Sequence, residues 1–172
     1  CLVLDSATGE TLAEWQLPER PEVGHPNWGY LGVYEDVLLA GGAPLHLQAE
    51  KDDVSPLPNN RFGVGSKYLF ALDRITGKEL WAREAVHEFR HNCLVAGGGK
   101  VFCLDGLSAQ RRELLKRRGR LSDAPAAVLA LDVRTGAERW RATDGVFGTW
   151  LSYSAEADVL LEAGSKFSDR AA

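Results

Sequence analysis

The chain has no methionine among its 172 residues. A complete translation product begins with Met unless processed, so a chain opening at Cys1 is expected to be a fragment or a trimmed domain. No apolar run approaches the roughly 20 residues of a transmembrane helix. No basic, apolar, small-residue leader opens the chain. Cysteine is scarce: Cys1, Cys93 and Cys103 are scattered without metal-ligand spacing, and an odd count fixes no redox compartment. Charge is nearly balanced. Twenty Lys and Arg stand against 24 Asp and Glu, a net charge of −4, which does not indicate nucleic acid or an anionic membrane as a general partner. This length allows one sizeable domain.

What is present is a repeat. Ala71–Trp81 reads A-L-D-R-I-T-G-K-E-L-W and Ala130–Trp140 reads A-L-D-V-R-T-G-A-E-R-W. A looser copy in Leu2–Trp15 contains V-L-D-S-A-T-G-E-T-L-A-E-W, with the Trp two residues late. The short apolar run Lys67–Leu72 suits a strand. Asp73–Gly77 reads as a tight turn, in which Asp accepts hydrogen bonds from backbone N–H groups. Its Gly supplies a positive φ that would cost a residue with a Cβ roughly 1–2 kcal/mol. Lys78–Arg83 returns as the second strand. With Asp73 facing Lys78, the register predicts Leu72 opposite Glu79 and Phe70 opposite Trp81, a pair contributing about 0.2–1 kcal/mol. A lone hairpin is marginal in water, so these hairpins are expected to pack on copies of themselves. Asp5 and Asp73 are 68 residues apart, and Asp73 and Asp132 are 59 apart. Both spacings exceed the roughly 40–50 residues of common propeller repeats, so insertions are expected.

Taken in order, Cys1–Leu4 and Thr11–Leu17 form a first hairpin, and Pro18, Pro21 and Pro26 mark a connection. Asn27–Tyr34 and Val37–Ala40 form a second hairpin around Glu35-Asp36, closed by Gly41-Gly42. Residues 43–66 read as a surface insertion with turn signals at Asn59-Asn60 and Gly63–Gly65. After the hairpin Lys67–Arg83, His91–Ala96 and Lys100–Leu104 pair around Gly97–Gly99, and Asp105-Gly106 ends them. Leu107–Leu121 predicts a short inserted helix near 108–118, capped by Ser108, with Leu114 and Leu115 on one side and Gly119 as its stop. Ala126–Leu131 and Ala137–Ala142 repeat the organising hairpin. Val146–Tyr153 and Val159–Glu162 follow as an inner pair around Ala155–Asp158. Lys166–Ala172 reads as a loose tail. Inner and outer pairs thus alternate: a half unit at 1–17, four-stranded units at 28–84 and 89–142, and a half unit at 146–163. The expected fold is all-β, a single domain of about three antiparallel propeller blades. A β-sandwich is the alternative, but it needs no repeated turns.

The motif A-x-D-x-x-T-G-x-E-x-W resembles the tryptophan-docking motif of quinoprotein-type β-propellers, and the repeated pattern covers most of the chain. The resemblance implies that Trp81 and Trp140 lie between neighbouring blades and lock them. It makes Ala71 and Ala130 small to admit a ring, lets Gly77 and Gly136 hold the turn, and includes Asp73, Thr76, Asp132 and Thr135 in the docking motif. Two departures stand out. The first copy has Ala13 where Trp is expected, so its contact is expected to be remodelled. Complete members close about seven or eight blades, so a ring is completed elsewhere or stays an open arc. The implied partners are other blades of the parent chain and a protein partner, and the implied location is extracytoplasmic. Members include dehydrogenases that bind pyrroloquinoline quinone with calcium, and also propellers without a cofactor.

Candidate chemistry is thin. The adjacent cysteine pair of quinoprotein dehydrogenases is absent. Cys93 and Cys103 would oppose each other, and could bridge, across a three-residue Gly97–Gly99 loop; across a two-residue loop they face opposite sides, and buried free thiols are the more ordinary state. His87 and His91 are spaced H-x-x-x-H, which on a helix places two ligands on one face. Glu84–Asn92, however, reads as an extended connection in which His91 and Asn92 satisfy backbone groups where a strand enters the channel. Asp5, Asp73 and Asp132 recur in turns and are read as structural. Asp105 ends an inner strand and could border a central funnel, with no partner evident in sequence. Arg111, Arg112, Lys116, Arg117, Arg118 and Arg120 could meet an acidic partner, but a solvated helix face is the usual meaning of such a run. The expected function is a non-catalytic scaffold or binding module. A fragment of a quinone-dependent dehydrogenase, its active site in other blades, is the alternative.

Overall fold

The computed structural model describes residues 1–45 and 65–164. β1 (Leu2–Leu4) and β2 (Thr11–Glu14) form one hairpin. β3 (Trp28–Tyr34), β4 (Val37–Leu45), β5 (Gly65–Asp73), β6 (Glu79–Gly97), β7 (Lys100–Asp105), β8 (Ala127–Asp132) and β9 (Glu138–Ala142) pair consecutively in a seven-stranded sheet. A helix, α1 (Ala109–Arg117), lies between β7 and β8, and β10 (Trp150–Ser154) and β11 (Val159–Ala163) form a last hairpin. Every pairing is antiparallel, and none of the sheets closes on itself. Among the described residues no helix is long and apolar enough to cross a membrane. Of the insertion expected at 43–66, residues 46–64 lie outside the described residues, as does the tail at 166–172; residues 43–45 and 65–66 are not loop but extend β4 and β5, with Pro44 opposite Ser66 and Leu45 opposite Gly65.

Three apolar layers show how the strands stack. Side chains alternate across a strand, so β4 sends Leu38 and Ala40 to one face and Val37 and Leu39 to the other. The first face joins Tyr68, Phe70 and Leu72 of β5 with Leu17 and Trp15, which follow β2. The second joins Leu69 and Ala71 of β5 with Val101 and Cys103 of β7 and Leu129 and Leu131 of β8. The opposite face of β7 and β8, with Phe102, Leu104, Val128 and Ala130, packs on Leu151 and Tyr153 of β10. The order is therefore hairpin β1–β2, then β3 to early β6, then late β6 to β9, then hairpin β10–β11. Burial on both faces explains the unbroken apolar runs Y-L-F-A-L and A-V-L-A-L, which a half-solvated strand would interrupt with polar residues.

The strand breaks expected near residues 84 and 89 are absent, because β6 runs through both units. Tyr68 pairs with Glu84, but Ser66 pairs with Phe89, which also faces Asp105. Residues 85–88 thus bulge from the ladder while the strand continues. Asp105 supplies what the ladder does not: its carboxylate accepts hydrogen bonds from Val86 N at 2.7 Å and His87 N at 2.8 Å. Gly106 N donates to Glu88 O at 3.0 Å. Backbone groups displaced from pairing need such partners.

Two local expectations are corrected. Gly41-Gly42 does not close a hairpin, since β4 continues through both to Leu45. The missing side chains leave room for β5: a Cβ at Gly41 would lie 2.7 Å from Ser66 Oγ. Phe70 does not face Trp81 either. A one-residue bulge at Leu80 puts Ala71 opposite Trp81 and Phe70 opposite Ala82. The same bulge occurs at Leu12 and Arg139, so all three hairpins share one register that simple counting misses.

The helix starts at Ser108, whose Oγ accepts from Arg111 N at 3.2 Å. It stops at Gly119, where φ is +63. Gly119 N bonds Lys116 O and Arg120 N bonds Leu115 O, a Schellman ending.

The last hairpin rests on Gly97, where any Cβ would collide with the Tyr153 ring. Gly97→Val is expected to cost about 1–3 kcal/mol by overpacking. Hydrogen exchange should show lost protection over 150–163 with β5 protected as before; unchanged protection there would refute this seat.

Candidate functional site

The repeated turn has one construction three times. Asp5 Oδ1 accepts from Ala7 N, Thr8 N and Thr8 Oγ1, at 2.9, 2.8 and 3.1 Å. Asp73 does the same with Ile75 N, Thr76 N and Thr76 Oγ1, at 3.0, 2.7 and 2.8 Å. Asp132 repeats it with Arg134 N, Thr135 N and Thr135 Oγ1, at 3.0, 2.9 and 3.0 Å. Each Thr Oγ1 then accepts from the residue after the glycine, Glu10, Lys78 or Ala137. Gly9, Gly77 and Gly136 have φ of +75, +70 and +70, a region costly for other residues. One oxygen of each carboxylate is thus employed inside its turn, and Asp132 Oδ2 also accepts from Arg139 at 2.6 Å. Bonding to the charged form lowers the pKa of all three. The Thr8 and Thr76 backbone N–H groups are the largest cause for Asp5 and Asp73, and the Arg139 guanidinium is the largest for Asp132.

A tryptophan from the preceding layer covers two of these turns. A Cβ on Gly136 would lie 2.7 Å from Trp81 Cδ2, and Trp81 Nε1 donates to Val133 O at 2.9 Å. Trp81 is 8% exposed. A Cβ on Gly77 would lie 2.8 Å from Trp15 Cδ2. The displaced Trp of the first copy therefore reaches the same kind of seat, and the expected remodelling takes a simple form. A shift of two residues along a strand keeps a side chain on the same face. Trp15 pairs through its backbone with Cys1, one pleat beyond Ala13 and Val3. Ala71 and Ala130 are fully buried opposite the Trp of their own hairpins. Trp140 differs from Trp81: it is 40% exposed and meets Phe102 at a ring-centroid distance of 6.0 Å.

Ion pairs flank the covered turns. Glu79 and Glu138 hold the same place in their repeats, and each receives an arginine from the preceding layer. Arg20 reaches Glu79 at 2.9 Å and Arg83 reaches Glu138 at 2.5 Å. Sequence reading assigned these glutamates no task. Their recurrence was a usable signal, but Arg20 and Arg83 follow their tryptophans by different intervals and carried none. Arg134 of the third turn binds Asp36 and lies 3.6 Å from Glu35, in the β3–β4 turn. The Arg134 pair, the most exposed of these, contributes at most about 1 kcal/mol.

A buried polar node, unmarked by any residue pattern, joins β6, β7 and α1. Glu88, Arg90, Asp105 and Ser108 are all buried. Glu88 accepts from Ser108 N at 3.3 Å and lies 4.0 Å from Arg90 Nε and 3.7 Å from Arg111 Nε. Burial raises the Glu88 carboxyl pKa, and the two arginines only partly offset it. Arg111 thus turns inward, whereas Arg112, Lys116, Arg117 and Arg120 lie on the exposed side. Asp105 is buried and anchors the β6 bulge.

The remaining candidates do not converge. The Gly98-Gly99 loop has two residues, Gly97 pairing with Lys100, and Leu94 rather than Cys93 faces Cys103. Cys93 and Cys103 lie in different apolar layers as buried free thiols. Burial pushes Cys93 up to about 12 and Cys103 higher still, so neither is a nucleophile at neutral pH. His87 Nε2 pairs with Ala124 O at 2.9 Å and His91 Nε2 with Ser66 Oγ at 2.7 Å. Among the described residues no three His, Cys, Asp or Glu side chains form a metal-ligand set. No protein-family model and no curated protein matches the chain.

Two predictions follow from this chemistry. Asp105→Asn replaces one acceptor by an NH2 group aimed at a backbone N–H, and should lower stability by about 1.5–3 kcal/mol in urea unfolding. The turn aspartates predict acid sensitivity. Their pKa values are depressed in the folded state, so the stability they contribute is present above about pH 4, the ordinary range of an unfolded Asp, and is lost as pH falls through the folded values. Melting temperature should drop between pH 4 and pH 2, and Asp73→Asn should show a shallower drop than the parent chain.

Proposed function

We propose that the chain is a run of about three consecutive blades of a quinoprotein-like β-propeller, acting as a non-catalytic scaffold or binding module. The observation that carries this reading is the ring-over-glycine contact, made twice between successive layers at the same point of the repeat. On this reading Trp81 and Gly136 are a blade-to-blade lock, with Trp15 and Gly77 the preceding lock. Ala71, Asp73, Thr76, Ala130, Asp132 and Thr135 build the turns and the faces that the locks need. Apart from the 40% exposed Trp140, the distinctive residues of the two full repeats are then occupied by packing and turn geometry. Among the described residues no three His, Cys, Asp or Glu side chains converge to hold the calcium of a bound quinone.

Truncating the lock tests the reading. Trp81→Ala should cost about 3–5 kcal/mol, as removal of a buried aromatic does. Trp140→Ala, at an exposed ring, should cost under about 1 kcal/mol. Equal small losses in urea unfolding would refute the lock. A titration of the parent protein with pyrroloquinoline quinone and calcium, followed by absorbance and dye-linked alcohol oxidation, separates scaffold from dehydrogenase. The scaffold predicts neither binding nor turnover; stoichiometric binding with turnover would make the chain part of a dehydrogenase.

A further inference from the structure

The connection from β7 to β8 is longer than the sheet needs. Asp105 pairs with Ala127, and a few residues would close such a hairpin. Residues 106–126 hold α1 instead. Among the described residues no side chain of α1 joins the three apolar layers, and Leu115 is only half-buried. The helix is nevertheless fastened. Ser108 N donates to Glu88, and Arg111 lies 3.7 Å from the same buried carboxylate. An element that adds nothing to the core is thus held at a fixed place on it.

Its charge runs against the rest of the chain. Residues 109–120 carry six Lys and Arg and one Glu, a net +5, so the remainder carries −9. The cations are not all placed to suit the helix. Its first turn contains no acidic residue, although the positive end of a helix dipole favours one. Arg112 stands near that end and is four residues from Lys116, a like-charge spacing that weakens an isolated helix. Only Lys116 and Arg117, in the last turn, complement the dipole. Arg112, Lys116 and Arg117 are all exposed, with the exposed Glu113 among them. Among the described residues none of the three forms an ion pair, whereas Arg118 and Arg120 are already engaged.

We propose that the exposed side of α1 is a docking surface for an acidic segment of a protein partner. Larger polyanions fit it less well. The nine residues of α1 extend only about 13 Å, and a duplex or lipid surface would bring its charge against a body of −9. Residues 106–126 contain no aromatic side chain on which a base could stack. Leu115 is turned partly toward the protein, so the helix has no free apolar side to enter a bilayer. A short run of Asp or Glu meets none of these obstacles. The inference rests on the binding-module reading above, whose partner it specifies, and not on the number of blades.

Fluorescence polarisation of a labelled peptide of about ten residues, Glu and Gly in alternation, tests it at about 150 mM salt, where long-range attraction is screened. The 172-residue chain should bind with Kd between about 1 and 100 µM. Arg112→Gln/Lys116→Gln removes two exposed cations and leaves Arg111 on Glu88. It should weaken binding about tenfold, the effect of two exposed ion pairs, with circular dichroism unchanged. Arg74→Gln/Lys78→Gln removes the same charge from exposed positions of another turn and should bind as the parent chain does. Absence of binding up to about 1 mM overturns the proposal, as does an equal loss, or no loss, in the two variants. Tighter binding of a DNA duplex or of phosphatidylserine vesicles than of the peptide also overturns it, by giving the surface to a different polyanion. The underlying reading fails separately. Quinone binding with turnover in the parent protein removes the non-catalytic module whatever the peptide does, whereas a costly Trp81→Ala without peptide binding leaves the scaffold and removes only this partner.

Discussion

The structure depends on a backbone that can turn left-handed under an aromatic face. At Gly136 the chain holds φ at +70 and lets the Trp81 ring lie where a side chain would begin. Two demands meet at one atom: the turn needs a residue without steric cost at positive φ, and the ring needs bare backbone to lie against. Asp132 and Thr135 hold the turn in shape, the indole N–H finds Val133 O, and the apolar layer between the two halves of the sheet is sealed at that edge. The Gly77 turn under Trp15 repeats the device one layer earlier.

Local chemistry was legible because it is written in neighbouring residues. The spacing of Asp, Thr and Gly disclosed the turn, and Ser108 with Gly119 disclosed the limits of α1. Register was harder. One extra residue at Leu80 leaves no mark on composition, yet it decides whether Trp81 meets Phe70 or Ala71. Trp15 stands two residues beyond the expected position and so keeps the same strand face, which is why it still reaches the Gly77 turn. Asp105 and Glu88 were opaque because their partners are backbone groups of the same irregular bulge and a helix residue some twenty positions away. No pattern of residue types announces such a meeting.

The irregular part of β6 therefore has a positive task. Carrying β6 from its pairing with β5 to its pairing with β7 leaves backbone N–H groups without a ladder. A single buried carboxylate binds two of them. The nearby ionic groups fasten the helix to the same place, with Arg111 and Ser108 both directed at Glu88. The connection between layers is thus as firmly specified as the layers themselves, though it uses polar contacts where they use apolar ones.

Cys93 and Cys103 are neighbours in one hairpin but belong to different apolar layers, one beneath β10 and the other in the centre of the stack. Local opening in a layered molecule need not be uniform, and each cooperative segment has its own free energy of exposure. The two thiols are thus native reporters of separate events. Labelling of Cys93 would follow detachment of the terminal hairpin, and labelling of Cys103 would require the central layer to part. The molecule carries its own means of timing how it comes apart.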